Sequence, residues 1–196
     1  LSARLQAERT GGGDLRFTLN TLVWELHAQG KCHEALEVQR ENLGNRHQNT
    51  VASLSNLASL LRDKGDLTAA EPLSREALGL FRETLGNRHP STLTSINNLG
   101  QLLQAKGDLA AAEPLLREAL EATRETLGNR HPSTLTTFGN LGLLLMAKGD
   151  LSAAEPLLRE VLEGRRETLG DQHPKTLAAI KRLGVLAAGK GQPRRC

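Results

Sequence analysis

The chain has 196 residues with 25 basic and 22 acidic side chains, a formal net charge of +3 and a pI near 9.1, yet only 2% aromatic residues and no tyrosine. A core must then be assembled from Leu and Ala, which pack well between helices and poorly between sheets, so an all-α protein is expected. The charges are dispersed rather than blocked, which argues against a nucleic-acid partner, and no run of 18 apolar residues is present to insert in a membrane.

Read from the start, residues 1–13 look like the stub of a preceding helix and a turn, with "GGGD" at 11–14 as a loop rather than a phosphate cradle, because no strand precedes it. Residues 14–43 form a short first repeat, and then one pattern returns. Gly44, Gly86, Gly128 and Gly170 are spaced by 42, as are His47, His89, His131 and His173. The repeats therefore run 44–85, 86–127 and 128–169, followed by a terminal half repeat at 170–190 and a tail at 191–196. In the first repeat Gly30 precedes Gly65 by only 35, so its second helix should be about two turns shorter.

Each full unit reads as two helices. In the unit at 86–127 the first begins at Pro90, whose fixed φ suits a first turn, and ends at the Lys106-Gly107 pair. Leu93, Ile96, Leu99, Leu102 and Leu103 give it one apolar stripe. The second helix begins at Asp108, a residue suited to capping free N–H groups, and presents Leu109, Ala112, Leu115, Leu116, Ala119 and Leu120. Glu71 and Arg75, Glu113 and Arg117, and Glu155 and Arg159 stand four apart in the favourable order and serve solubility. Pro72, Pro114 and Pro156 fall inside this helix and should each remove one backbone bond. A hairpin this short cannot bury its stripe alone, so the copies stack side by side. Ala58, Gly100, Gly142 and Gly184 on the first helix, with Ala70, Ala112 and Ala154 on the second, mark where the helices approach closely. The expected architecture is a right-handed α-solenoid of stacked antiparallel helix pairs.

The shared pattern L-G-x-x-H-P-x-T-L-x-x-x-N-L-G/A-x-L-L-x-x-K-G-D-L-x-x-A-E-P-L-x-R-E-A-L over residues 43–191 resembles the 42-residue tetratricopeptide repeats of the kinesin light chain family. The resemblance implies a non-enzymatic scaffold or adaptor that binds a peptide or partner domain on the concave face, lined by the first helices. It implies no cofactor. That family's N-terminal heptads, which bind the motor heavy chain, have no counterpart here, so membership in a motor complex is not supported. Two further functions are compatible with the repeats: the sensor tail of a larger signalling ATPase, and a self-assembling structural module built on the unpaired last helix.

By the same resemblance, residues one and two before the Leu of "NLG" lie at the groove: Asn20 and Thr21, Ser55 and Asn56, Asn97 and Asn98, Gly139 and Asn140, Lys181 and Arg182. Asn56, Asn98 and Asn140 make a ladder at the repeat spacing, able to hold a peptide backbone or, alternatively, to tie one repeat to the next. One turn on stand Trp24, Ser59, Gln101 and Leu143, then His27, Arg62, Gln104 and Met146, with Arg62 or Arg182 placed to take an acidic residue. Trp24 is equally an anchor or a packing residue. The histidines lie in separate repeats, too far apart to share zinc, and are expected to cap turns. The arginines of the "GNRH" turns could touch phosphates, but no aromatic stacking partner accompanies them. Cys32 and Cys196 make no disulfide framework and suit a reducing, cytoplasmic setting. Opening on Leu1, the chain reads as a fragment or a processed product.

Overall fold

The computed structural model describes Glu25 and residues 30–190. Asn20, Thr21, Trp24, His27, the loop at 11–14, Cys196 and the 191–196 tail lie outside the described residues. Within them are eight α-helices and no strand: α1 Cys32–Leu43, α2 Gln48–Asp63, α3 Leu67–Leu85, α4 Pro90–Lys106, α5 Leu109–Leu127, α6 Pro132–Ala147, α7 Leu151–Leu169 and α8 Pro174–Lys190. No described helix is long and apolar enough to cross a membrane. The chain divides into two compact units, Leu1–Thr84 and Leu85–Cys196.

The helix boundaries follow from side chains that recur with the repeat. His47, His89, His131 and His173 each precede a first helix, and in each the ring Nδ1 accepts the backbone N–H two residues on, at 3.1–3.2 Å. An acceptor Nδ1 requires the proton on Nε2, so the imidazole serves as a neutral N-cap. Thr92 and Thr176, three residues later and wholly buried, donate their hydroxyls to the carbonyls of Gly86 and Gly170 at 2.8 Å and close the turn.

Two kinds of glycine end the helices. Gly107, in the tight hairpin connection, is left-handed (φ 86, ψ −1), and the next N–H, of Asp108, reaches back to Leu103 O at 2.9 Å. Asp108 then accepts from Ala111 N at 3.0 Å, so one residue closes α4 and caps α5. Asp66 and Asp150 act in the same way toward Ala69 and Ala153. The glycines between repeats differ from this left-handed form. Gly44, Gly128 and Gly170 have ψ of 163–167 at positive φ, because the chain must leave the helix extended before the His cap. That region is closed to residues with a Cβ.

In the first unit α1 packs on α2, burying Ala35 and Leu36 with Val51, Leu54 and Leu57. At 12 residues, α1 is shorter than the 19 of α3, α5 and α7, which run unbroken through Pro72, Pro114 and Pro156. Arg40 reaches Glu76 of α3 at 2.7 Å.

In the second unit the hairpins α4/α5 and α6/α7 stack, and α8 follows on α7. Leu93, Ile96, Leu99, Leu102 and Leu103 bury against Ala112, Leu116, Ala119 and Leu120, each fully buried Leu contributing roughly 1.5–3 kcal/mol. Close approach explains the helix glycines: a Cβ at Gly100 would lie 2.7 Å from Leu116 Cδ2, and one at Gly142 would lie 2.8 Å from Leu158 Cδ2. Between hairpins, Arg124 of α5 stacks on the Phe138 ring of α6 at 5.7 Å, and Lys148 after α6 pairs with Glu113 of α5.

Candidate functional site

The first helices α4 and α6 flank a groove of about 390 Å³ in the second unit. Its α4 wall carries Thr94, Asn97, Asn98 and Gln101, its α6 wall Ser133, Thr136 and Thr137, and Thr123 and Leu127 of α5 also line it. The threonines have a defined polarity. Thr94 and Thr136 donate to Pro90 O and Pro132 O at 2.9 Å, and Thr137 donates to Ser133 O at 3.1 Å. Their hydroxyl hydrogens are thus spent on their own helices, and the exposed Thr94 and Thr136 keep lone pairs able to accept from a ligand's N–H groups, whereas Thr137 is buried.

The asparagines divide into two roles. Asn140 donates its Nδ2–H to Asn97 Oδ1 at 2.9 Å, tying α6 to α4, and Asn97 is only 8% exposed. Asn98 is half-buried on the groove wall and has no hydrogen-bond partner among the described residues, so its amide is open on both its donor and acceptor sides. Gln101 lines the same wall, one turn on, and Gln104 is half-buried beyond the lining. In the first unit, Asn56 is exposed on α2, and Arg62 is held by its neighbour Asp63 through Nη2 at 3.0 Å.

At the next step along the first helices the register is the same and the chemistry changes. Where Asn140 reaches back to Asn97, Arg182 of α8 reaches back to Gly139 of α6, which has no side chain; its Nη1 lies 3.3 Å from where a Cβ would stand. Where the earlier repeat has Thr123, this one has Arg165, whose Nη1 donates to Lys175 O at 2.9 Å. Burial, and then the like charge of Arg182, lowers the Arg165 pKa from its ordinary value. No carboxylate pairs with Arg165 or Arg182 among the described residues. One repeat on from this neutral bed of amides and hydroxyls, the equivalent positions thus carry two guanidinium groups with no carboxylate partner among the described residues.

A larger cavity of about 620 Å³ opens on the side lined by α5, between Arg117, Glu121, Arg124 and Glu125, over Leu141. Most of its charged groups are engaged, Glu121 excepted: Arg117 bonds Glu113 at 2.7 Å, Arg124 bonds Asn129 at 3.0 Å, and Glu125 pairs with Arg88. The turn arginines are likewise engaged, Arg46 with Glu83 at 3.0 Å and Arg130 with Glu160 and Glu167 at 2.5 Å. These faces hold themselves together, and the first-helix groove has the larger share of unspent polar capacity.

Sequence reasoning placed Asn97, Asn98 and Gln101 on this groove and missed its Thr94, Thr136 and Thr137, and also the Arg165 that replaces Thr123 one repeat on. The threonines were visible as the "TLT" steps at 92–94 and 134–136, and Arg165 as a break in the repeat, "EGRRET" against "EATRET".

The family model for the tetratricopeptide repeat matches residues 28–83, 49–125, 97–167 and 133–195. The chain is similar to two crystal structures, one of a point variant, of a candidate kinesin light chain from Podospora anserina with nearly identical TPR-like repeats. They give TM-scores of 0.70 and 0.71 at 28% identity, over 90% of this chain and 87% of that one. BtubC (BKLC) from P. vanneervenii shares the fold, with a TM-score of 0.67 at 21% identity over 100% of this chain and 91% of that one. No curated protein matches the chain.

Proposed function

Because the chain belongs to the tetratricopeptide repeat family, whose fold is generally a protein–protein interaction scaffold, we propose that it is a non-catalytic adaptor of the cytoplasm that holds an extended peptide along its first-helix groove. The observation that carries this reading is the change in chemistry from one repeat to the next, from Asn98, Thr94 and Thr136 on the groove to Arg165 and Arg182 one period on. Amides and hydroxyls that donate and accept at regular spacing suit a peptide backbone of any sequence. Paired guanidinium groups without an acid suit a carboxylate side chain, which would relieve their repulsion. The expected ligand is thus an extended segment with an acidic residue toward α8. The likeness to the Podospora protein supports the same kind of module.

The test is a peptide array probed with the purified chain, followed by fluorescence anisotropy on the captured sequences. Acidic peptides should dominate the captures. Arg182→Gln should weaken them by roughly 10-fold, as expected for a charge-assisted bond, and should leave neutral peptides within a factor of about two. Captures without acidic enrichment, or equal losses for acidic and neutral peptides, would remove the assignment.

A further inference from the structure

His131 precedes α6, is half-buried, and lines the groove between α4 and α6. Its Nδ1 accepts from Ser133 N at 3.1 Å, and that bond fixes the tautomer, because the ring proton must then sit on Nε2. The Nε2–H has no hydrogen-bond partner among the described residues. The groove is therefore lined by a ring whose acceptor is spent and whose donor is open, held in one orientation by the cap.

Donors are scarce on these walls. Thr94, Thr136 and Thr137 give their hydroxyl hydrogens to their own helices. Thr123 does the same, toward Ala119 O at 2.8 Å and Leu120 O at 3.1 Å. Asn97 is buried and accepts from Asn140. An extended backbone offers one C=O for every N–H, so a row of threonine lone pairs can satisfy only half of its polar groups. The carbonyls require donors, and the Asn98 amide and His131 Nε2–H supply two.

We infer, resting on the reading of this groove as a peptide site, that His131 is a binding residue whose Nε2–H donates to a backbone carbonyl of the bound peptide. A carboxylate is the poorer acceptor here. No residue lining the groove carries a formal charge, so an acid held against His131 would lose water without gaining a cation. A carbonyl is neutral, and Pro90, Leu93 and Leu127, which share the lining, strengthen its hydrogen bond by lowering the local dielectric. One ring then couples ligand and cap: a carbonyl that draws on Nε2–H leaves Nδ1 a better acceptor, so the peptide tightens the start of α6 as it binds.

The probes are the array peptides captured by the purified chain, measured by fluorescence anisotropy. His131→Ser and His131→Asn keep a good N-cap acceptor on side chains too short to replace Nε2. Both variants should melt near the parent and bind the captured peptides roughly 2- to 13-fold more weakly, the worth of one net hydrogen bond. A thioamide scan of the captured peptide of highest affinity then locates the acceptor, since each step replaces one carbonyl oxygen by sulfur, a weaker acceptor. At one position the thioamide should cost affinity against the parent and nothing further against His131→Ser. Normal affinity in both variants overturns the inference, as does a scan whose losses are the same in parent and variant. Loss in the variants that vanishes when the peptide's Asp and Glu become Asn and Gln assigns the acceptor to a carboxylate and overturns the backbone carbonyl. The parent chain gives a readout that needs no substitution: on peptide addition the His131 Nε2–H signal in nitrogen-15 correlation spectra should shift and its exchange with water should slow. An unmoved signal overturns the inference even where the variants unfold. Capture of no peptide removes the peptide reading of the groove and this inference with it, whereas capture indifferent to His131 removes this inference alone.

Discussion

Asn140 donates from its Nδ2 to Asn97 Oδ1 at 2.9 Å, and this one amide contact joins the first helices of two successive hairpins beside the groove. Removing the donor leaves an acceptor in a residue only 8% exposed, so Asn140→Ala should cost about 1–3 kcal/mol and lower Tm by roughly 2–4 °C per kcal/mol. Asn98 has no hydrogen-bond partner to lose among the described residues. Asn98→Ala should move stability by less than about 0.5 kcal/mol and lower peptide affinity by one net hydrogen bond, roughly 2- to 13-fold. Melting and affinity measured on the same two samples decide it; an Asn98→Ala protein that melts lower but binds normally reverses the roles.

The sequence showed both asparagines and could not separate them. Spacing by 42 put Asn98 and Asn140 at equivalent places, yet one faces the groove and the other bonds α4. What distinguishes them is the partner at the neighbouring register. Asn140 meets Asn97, and the rotation between hairpins that brings them together is not encoded in a spacing. The helices were legible because their caps are local: His89, Pro90, Gly107 and Asp108 act within a few residues of their positions in the chain. Close approach at Gly100 and Gly142 was legible for a different reason, since a glycine that recurs inside a helix has a cost that packing must offset. Arg62 offered a charge in the sequence, but the adjacent Asp63 takes it, a matter of rotamers. The conformation of Gly44 and Gly128 is not legible in the sequence, because a glycine's identity permits both positive-φ regions and the direction of the exit chain selects between them.

Gly142 and Gly184 occupy equivalent places and should respond oppositely to the same change. Alanine at Gly142 puts a Cβ 2.8 Å from Leu158 Cδ2 and 3.0 Å from its Cγ, in a side chain only 1% exposed with little room to turn. Overpacking of about 1–3 kcal/mol outweighs the gain of about 1 kcal/mol in helix propensity, for a net loss of up to about 2 kcal/mol. At Gly184 only the propensity gain applies, so Gly184→Ala should stabilise by roughly 0.5–1 kcal/mol. Urea midpoints on both variants test this. Destabilisation by Gly184→Ala would mean that its seat is filled.

The histidine caps make a chemical prediction. At His131, Nδ1 accepts from Ser133 N at 3.1 Å, which only an imidazole protonated on Nε2 can do. Nitrogen-15 correlation spectra of the folded chain should show that tautomer at His89, His131 and His173. His131→Ala should cost about 0.5–2 kcal/mol, the usual loss for an N-cap, whereas His131→Asp supplies an oxygen acceptor and should recover most of it. Equal losses from Ala and Asp would show that the ring contributes through packing rather than through its nitrogen.

Glu113 and Asp150 set the acid limb of stability. The hydrogen bond from Lys148, and then that from Arg117, holds Glu113 below the usual carboxylate range against a smaller opposing effect of burial. Asp150 is lowered by the Ala153 N–H and then by the Ser152 hydroxyl. A carboxyl whose folded pKa is depressed binds its proton more readily unfolded. Its contribution is therefore present above the ordinary carboxylate pKa, about 4, and is lost as pH falls through the lower folded value. Tm should stay level from about pH 7 to 5 and decline below about pH 4. Glu113→Gln should lower Tm at neutral pH, flatten that decline, and converge on the parent in strong acid. Asp150→Asn separates charge from capping, because Asn remains a good N-cap while its amide cannot ionise. Salt supplies the second axis: the exposed Glu113 pairs should weaken as it rises, and the Asp150 cap, a short-range hydrogen bond to Ala153, should weaken less. If Glu113→Gln melts in parallel with the parent at every pH, the Lys148–Glu113–Arg117 contact between the hairpins contributes nothing to stability, and the acid limb belongs to other carboxylates.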